Sequence, residues 1–244
     1  AKRGIGTSMV AGIGLLGAVA AFFVAQAVEW RAAYFIGGGM GISLLLLRLR
    51  VLDSALFHQT VARTDVTRGN FFQLFRKRER AMRYLRSVLI GLPTWFVIGI
   101  LVSFCKEFAV HQGITEAVDP GRGILYAYAA ISLGDILIGF LSQALKSRKK
   151  ALYVFYAITA LGMLRFFTAS TVDQLYWACG IMGFGTGFWA LFVTVGAENF
   201  GTNLRATAAT TIPNMVRGSL NAISALFLWL TAQAGSLEGG ILTA

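Results

Sequence analysis

The feature that most constrains this chain is a series of long apolar runs. Seven stretches approach or exceed the roughly 18 residues that an α-helix needs to cross about 30 Å of hydrocarbon. They lie at approximately residues 5–28, 32–47, 87–109, 123–143, 151–169, 174–196 and 206–232. The sequence therefore predicts an all-α, multi-pass integral membrane protein with about seven transmembrane helices.

Composition supports this reading and excludes other classes. Of the 244 residues, 56% are hydrophobic and only 14% are charged, whereas about a quarter are charged in soluble domains. The 22 basic residues outnumber the 11 acidic ones, but a nucleic-acid binder would not place its charges between hydrocarbon-length segments. We therefore expect no nucleic-acid partner.

The residues that usually carry enzymatic or metal chemistry are scarce. Cys105 and Cys179 lie far apart in separate apolar runs, which argues against a disulfide framework or a metal site. His58 and His111 fall in loops on opposite sides of the membrane, and no phosphate-binding glycine loop is present. The sequence predicts a protein that is not an enzyme and has no metal or cofactor.

The distribution of basic residues predicts the orientation. If all seven segments cross, one side receives 17 of the 22 basic residues, including those of the segment 48–86. Basic loops remain in the cytoplasm. We therefore expect a cytoplasmic N-terminus in a bacterial inner (plasma) membrane, and an organisation into two helices at 1–47, a cytoplasmic central loop at 48–86 and a helical region at 87–244.

The end of the central loop combines aromatic and basic residues. Residues 70–86 read NFFQLFRKRERAMRYLR, a pattern that predicts a basic amphipathic helix lying on anionic lipid headgroups. The alternative is a solvated linker that only enforces topology.

Polar side chains inside a predicted span are costly and are functional candidates by default. Arg217 lies about 16 Å from the cytoplasmic start of the last helix, and Asn214 and Asn221 share its helical face. Asp135 has a similar depth in the 123–143 helix. Arg217 needs an anionic partner, either a substrate carboxylate or Asp135. Asp135 is either a proton-coupling site or half of a structural ion pair. The polar stripe formed by Asn214, Arg217 and Asn221 serves either transport or helix packing.

Two tryptophans fall in predicted spans. Trp95 follows Pro93 and Thr94, and Trp189 lies in a glycine-rich helix. Such side chains form either the aromatic walls of a binding site for an organic solute or ordinary helix packing.

Three segments carry a family resemblance. Residues 139–150 (GFLSQALKSRKK) resemble the loop signature between helices eight and nine of the major facilitator superfamily of secondary transporters, with Gln143 at its acidic position. Residues 198–207 (ENFGTNLRAT) resemble the stretch between helices ten and eleven in sugar porters and metabolite:proton symporters, and residues 48–57 (RLRVLDSALF) are similar to the exit of helix six in those subfamilies.

The resemblance implies that the chain is a fragment covering helices five to eleven of a twelve-helix fold. In that fold 1–47 would be the end of the N-terminal helical half, and 87–244 would be the C-terminal half, with five helices and the start of a sixth. The resemblance also implies alternating-access transport of a small organic solute (an organic acid, a sugar or a related metabolite), with protons as the expected coupling ion. The residues that it implies for a cytoplasmic gate are Gly139, Arg148, Lys149, Lys150, Glu198 and Arg205. The alternative from another class is a non-transporting seven-helix receptor or scaffold.

The topology is testable by labelling single cysteines in intact cells, in a variant whose native cysteines are replaced by serine. A membrane-impermeant maleimide should modify Ala117→Cys and leave Val66→Cys unreacted, because basic loops are retained inside. Labelling only at position 66 would invert the topology.

Overall fold

The structure, a computed structural model, describes residues 2–49 and 70–234, and these residues form helices and connecting turns without a strand. Helices α1 and α2 precede the gap, and a 3₁₀ turn and seven further α-helices follow it. They are α1 Lys2–Ala27, α2 Trp30–Arg48, the 3₁₀ turn Phe71–Leu74, α3 Arg78–Phe96, α4 Cys105–His111, α5 Pro120–Ala144, α6 Arg148–Phe167, α7 Val172–Thr186, α8 Trp189–Glu198 and α9 Thr202–Ala234. A π-helical segment, Val97–Val102, continues α3.

Seven helical segments in the described part of the chain are long and apolar enough to cross a membrane. They are Ser8–Ala27, Trp30–Arg48, Arg78–Val102, Pro120–Ala144, Arg148–Phe167, Val172–Glu198 and Leu204–Gln233. The predicted all-α fold with seven spans is confirmed, and each predicted segment overlaps one span.

The segment 70–86 is not the single amphipathic surface helix that its sequence predicts. Asn70 caps the 3₁₀ turn by accepting a hydrogen bond from the Phe72 N–H at 3.0 Å, and Leu74 is fully buried. Helix α3 then begins at Arg78 and continues into the membrane span, with Tyr84 buried on it. The predicted helix is therefore found only from Arg78 onward, because an amphipathic pattern does not distinguish a surface helix from the polar first turns of a spanning helix. The contact with lipid headgroups stays a prediction. Residues 50–69 of the predicted loop lie outside the described residues.

Three helices start with a side chain that accepts a backbone hydrogen bond. Asp119 precedes Pro120 and accepts from the Gly121 N–H at 2.8 Å. Ser147 and Thr171 occupy the same position before α6 and α7. Such caps satisfy N–H groups that have no acceptor within their own helix, and they fix where these three spans begin.

Helix α5 is central to the packing. It lies against α1 on one side and α7 on the other, while α7 also packs on α6, and α9 packs on α3 and α8. The α1–α5 contact is close enough for the Ser132 hydroxyl to donate to the Gly12 carbonyl at 2.7 Å. By contrast, α2 has no buried residue within the described part of the molecule.

A glycine in α7 and another just after its end let the backbone of this span approach α5 directly. A Cβ atom on Gly183 would lie 2.3 Å from the Ala127 carbonyl oxygen, and one on Gly187 would lie 2.7 Å from the Cα atom of Gly134. Small residues permit this kind of contact between membrane helices. The two helices are therefore held at a distance that no larger residue at these positions would permit.

We expect Gly183→Ala to force α5 and α7 apart, because its methyl group would meet backbone rather than a movable side chain. Overpacking of this kind costs about 1–3 kcal/mol. Gly180→Ala, one turn away on the same helix, is the matched control, since its Cβ would meet only the Tyr126 carbonyl oxygen, at 4.0 Å. Thermal unfolding of the purified variants should show a lower Tm for Gly183→Ala alone, and equal Tm values would contradict the packing argument.

Candidate functional site

The site is built around an interruption of the sixth span. Helix α7 ends at Thr186, Gly187 and Phe188 intervene, and α8 begins at Trp189. The close contact between Gly187 and Gly134 brings α5 to this interruption. The next residue on α5, Asp135, is thereby placed against the first turn of α8.

Asp135 is completely buried and binds backbone rather than a cation. Its Oδ1 accepts a hydrogen bond from the Ala190 N–H at 2.9 Å, and the carboxylate also interacts with the Trp189 N–H. Its Oδ2 has no hydrogen-bond partner among the described residues. Asp135 makes no ion pair with Arg217 within the described residues, so a direct pair between them is not observed in this structure.

Arg217 lies at a central cavity of about 150 Å³ together with both predicted tryptophans. The guanidinium carbon is 5.5 Å from the centre of the Trp189 ring, and Arg217 donates a hydrogen bond to Asn214 Oδ1 at 3.3 Å. The rings of Trp95 and Trp189 meet edge to face, with centroids 6.1 Å apart. Three residues that are distant in the sequence, Trp95, Trp189 and Arg217, thus line one cavity. The full lining is Leu15, Thr94, Trp95, Ile98, Tyr128, Ile131, Trp189 and Arg217.

Two polar atoms in the wall of this cavity are unsatisfied. Thr94 Oγ1 and Trp95 Nε1 are buried and have no hydrogen-bond partner among the described residues. Buried polar groups without partners cost free energy. A polar ligand in the cavity would offer acceptors for the guanidinium of Arg217, which lines it.

The lining of the central cavity differs in two ways from the set of residues predicted from the sequence. Tyr128 lines the cavity, although nothing in its sequence context separates it from other tyrosines in apolar runs. Asn214 and Asn221 are both exposed and neither lines the cavity, so Arg217 is the one residue of the predicted stripe in this lining, and Asn214 is linked to the site only by its hydrogen bond to Arg217.

Larger cavities lie elsewhere along the bundle, and two of them bear on the candidate site. One, of about 520 Å³, shares Trp95, Ile98 and Tyr128 with the central cavity. The other, of about 590 Å³, lies at the basic end of the bundle, by which we mean the end that carries residues 70–86, 144–150 and 197–205. This basic-end cavity shares no lining residue with the central one.

An ion pair at the basic end joins the start of α6 to the end of α8. Both guanidinium Nη atoms of Arg148 contact the two carboxylate oxygens of Glu198, and the Nη2–Oε1 distance is 3.0 Å. Gly139 and Arg205 line the cavity beside this pair. The other two expected gate residues, Lys149 and Lys150, are exposed and make no ion pair within residues 2–49 and 70–234.

Comparison with known proteins gives one family. A model described as Major Facilitator Superfamily matches residues 3–225 of the chain. Searches of curated proteins and of solved structures give no match. The matched range includes the central cavity, Asp135 and the Arg148–Glu198 ion pair.

We expect removal of the Glu198 charge to open the basic-end cavity without unfolding the protein, because a bidentate but half-exposed pair contributes only about 0–1 kcal/mol. A cysteine at Thr194, which lines this cavity, should react severalfold faster with a soluble maleimide in Glu198→Gln. Glu116→Gln at an exposed site is the control. The swapped pair Arg148→Glu/Glu198→Arg should restore slow labelling, and an unchanged rate in Glu198→Gln would refute a closing role.

Proposed function

Because the chain belongs to the Major Facilitator Superfamily, a family of secondary transporters, we propose that it carries a small organic solute with an anionic group across the membrane by alternating access. The observation that carries this proposal is Arg217 at the central cavity, with no carboxylate partner within the described residues. A charge inside a membrane span requires a counter-charge or water. The solute would supply that counter-charge.

The neighbours of Arg217 favour an organic anion over an inorganic one. Within the described residues, Arg217 donates one side-chain hydrogen bond, to Asn214, and a guanidinium with its other donors unused binds carboxylate groups through paired hydrogen bonds. Trp95 and Trp189 provide aromatic walls, and Trp95 Nε1 is an additional donor without a partner. This combination suits a carboxylate attached to a carbon skeleton.

The cavity volume favours a small solute. At about 150 Å³ it is smaller than the roughly 300–1,000 Å³ of typical ligand pockets. It is also bounded on one side by Trp95, Ile98 and Tyr128, which separate it from the 520 Å³ cavity. We propose that these three side chains move when the solute passes between the two cavities.

We further propose that protons drive the transport and that Asp135 carries the proton. The carboxyl group is fully buried, has no cation partner in the described part of the chain, and keeps Oδ2 without a hydrogen bond. Burying an unpaired charge is costly, and a proton on Oδ2 would remove that charge while Oδ1 continues to accept from the Ala190 N–H.

At the basic end we propose that the Arg148–Glu198 ion pair closes a cytoplasmic gate and breaks once in each transport cycle. Gly139, Lys149, Lys150 and Arg205 would complete the gate. Anionic lipids are proposed as partners of the same end of the bundle, where the first turns of α3 carry basic residues and Phe72 is 79% exposed. The orientation follows from the basic loops, and a bacterial inner membrane is the proposed location.

The anion proposal is tested with purified protein in thermal-shift measurements against a panel of small aliphatic and aromatic carboxylates, their neutral amides, and monosaccharides. We expect carboxylates alone to raise the Tm. Arg217→Gln should weaken that binding by about tenfold or more, since a hydrogen bond to a charged group contributes about 1.5–3 kcal/mol.

Arg165→Gln is the matched control. Arg165 is exposed in the last turn of α6 and does not line the central cavity. Stabilisation by monosaccharides in preference to carboxylates, or full carboxylate binding by Arg217→Gln, would overturn the proposal.

A further inference from the structure

The interruption of the sixth span leaves backbone donors that need acceptors. The first N–H groups of any helix have no carbonyl partner within that helix, and inside a membrane they need an acceptor from protein or from water in a cavity. At the start of α8 the preceding residue is Phe188, whose side chain cannot accept a hydrogen bond. The donors of Trp189 and Ala190 therefore need an acceptor from outside α8.

Asp135 of α5 supplies that acceptor. Oδ1 lies 2.9 Å from the Ala190 nitrogen, and the same carboxylate interacts with the Trp189 N–H. The position matches that of a helix-capping side chain, except that the residue comes from a neighbouring helix 55 positions away in the sequence. The contact between Gly134 and Gly187 makes this approach possible, because a Cβ on Gly134 would lie 2.5 Å from the Phe184 carbonyl oxygen.

The capped residues belong to the central cavity. Trp189 begins α8, and its ring packs against Trp95 and lies beneath the Arg217 guanidinium. A change in the direction of the first turn of α8 would move this ring relative to both neighbours. Asp135 itself does not line the central cavity, so any effect it has on the cavity acts through Trp189.

We infer that Asp135 is a positioning residue, which caps α8 from the adjacent helix and thereby holds Trp189 in place as the platform for Arg217. This inference deepens the proposed function. Its consequence for solute binding rests on that proposed function. Capping requires an acceptor oxygen and not a negative charge, and asparagine caps helices about as well as aspartate. The acceptor role of Asp135 is thereby separable from any role as a proton carrier.

The test compares Asp135→Asn with Asp135→Ala in the full chain reconstituted in lipid nanodiscs, without any solute. Hydrogen–deuterium exchange of the backbone amides at 189–191 should rise about tenfold in Asp135→Ala and stay within about twofold of the wild type in Asp135→Asn. The fluorescence of Trp189 is obtained as the difference between each variant and the same variant carrying Trp189→Phe. Acrylamide should quench this fluorescence more strongly in Asp135→Ala only.

Each result decides the inference. Equal increases in both variants would show that the charge, and not the acceptor, is what matters, and an absence of change in Asp135→Ala would show that α8 needs no cap. If Asp135→Ala is not recovered folded, native exchange and emission in Asp135→Asn support the inference, and raised values overturn it. Because neither readout uses a solute, failure here leaves the anion proposal intact, and failure of the anion panel leaves this inference intact.

Discussion

The candidate site depends on the hydrogen bond between the Asp135 carboxylate and the backbone at the start of α8. A membrane helix can be interrupted only where its free donors are satisfied by protein or by water. The acceptor comes from α5, and the glycine contact between α5 and α7 gives it room. Trp189, and with it one wall of the central cavity, occupies its position because this interruption is tolerated.

Arg217 lies near the middle of the spanning segment Leu204–Gln233, and its exposed side chain lines the central cavity. The Arg217 guanidinium contacts a neutral amide and an aromatic face, and no carboxylate among the described residues pairs with it. Each interaction stabilises the guanidinium without occupying it fully. The unsatisfied Thr94 Oγ1 and Trp95 Nε1 lie in the same wall. The charge therefore stays available to a ligand, as the proposed transport of an organic anion requires.

The two ionic features of the bundle differ in burial, and this difference suits them to different tasks. The Arg148–Glu198 ion pair is half-exposed at the basic end, where water screens it and its rupture costs little. Asp135 is fully enclosed, so its contacts are strong and its surroundings are dry. The contact that we propose to break in every cycle therefore lies at the exposed end, and the contact that we infer to hold the site in shape lies in the interior.

The sequence by itself determined the seven spans, because a run of apolar residues of hydrocarbon length has few stable alternatives to a membrane helix. It also singled out Trp95, Trp189, Arg217 and Asp135 as candidates, since polar and aromatic residues are conspicuous in such runs. Only the tertiary structure decided which of them meet. Helix packing brings Arg217 to the two tryptophans and turns Asp135 to the backbone of α8. Helix packing also adds Tyr128 to the lining of the central cavity and leaves Asn221 outside it. The basic residues 78–86 form the first turns of a spanning helix. Hydropathy reports the preference of each residue for lipid. Which helices become neighbours depends instead on how closely two backbones approach. That distance is set by glycine contacts between segments remote in the chain.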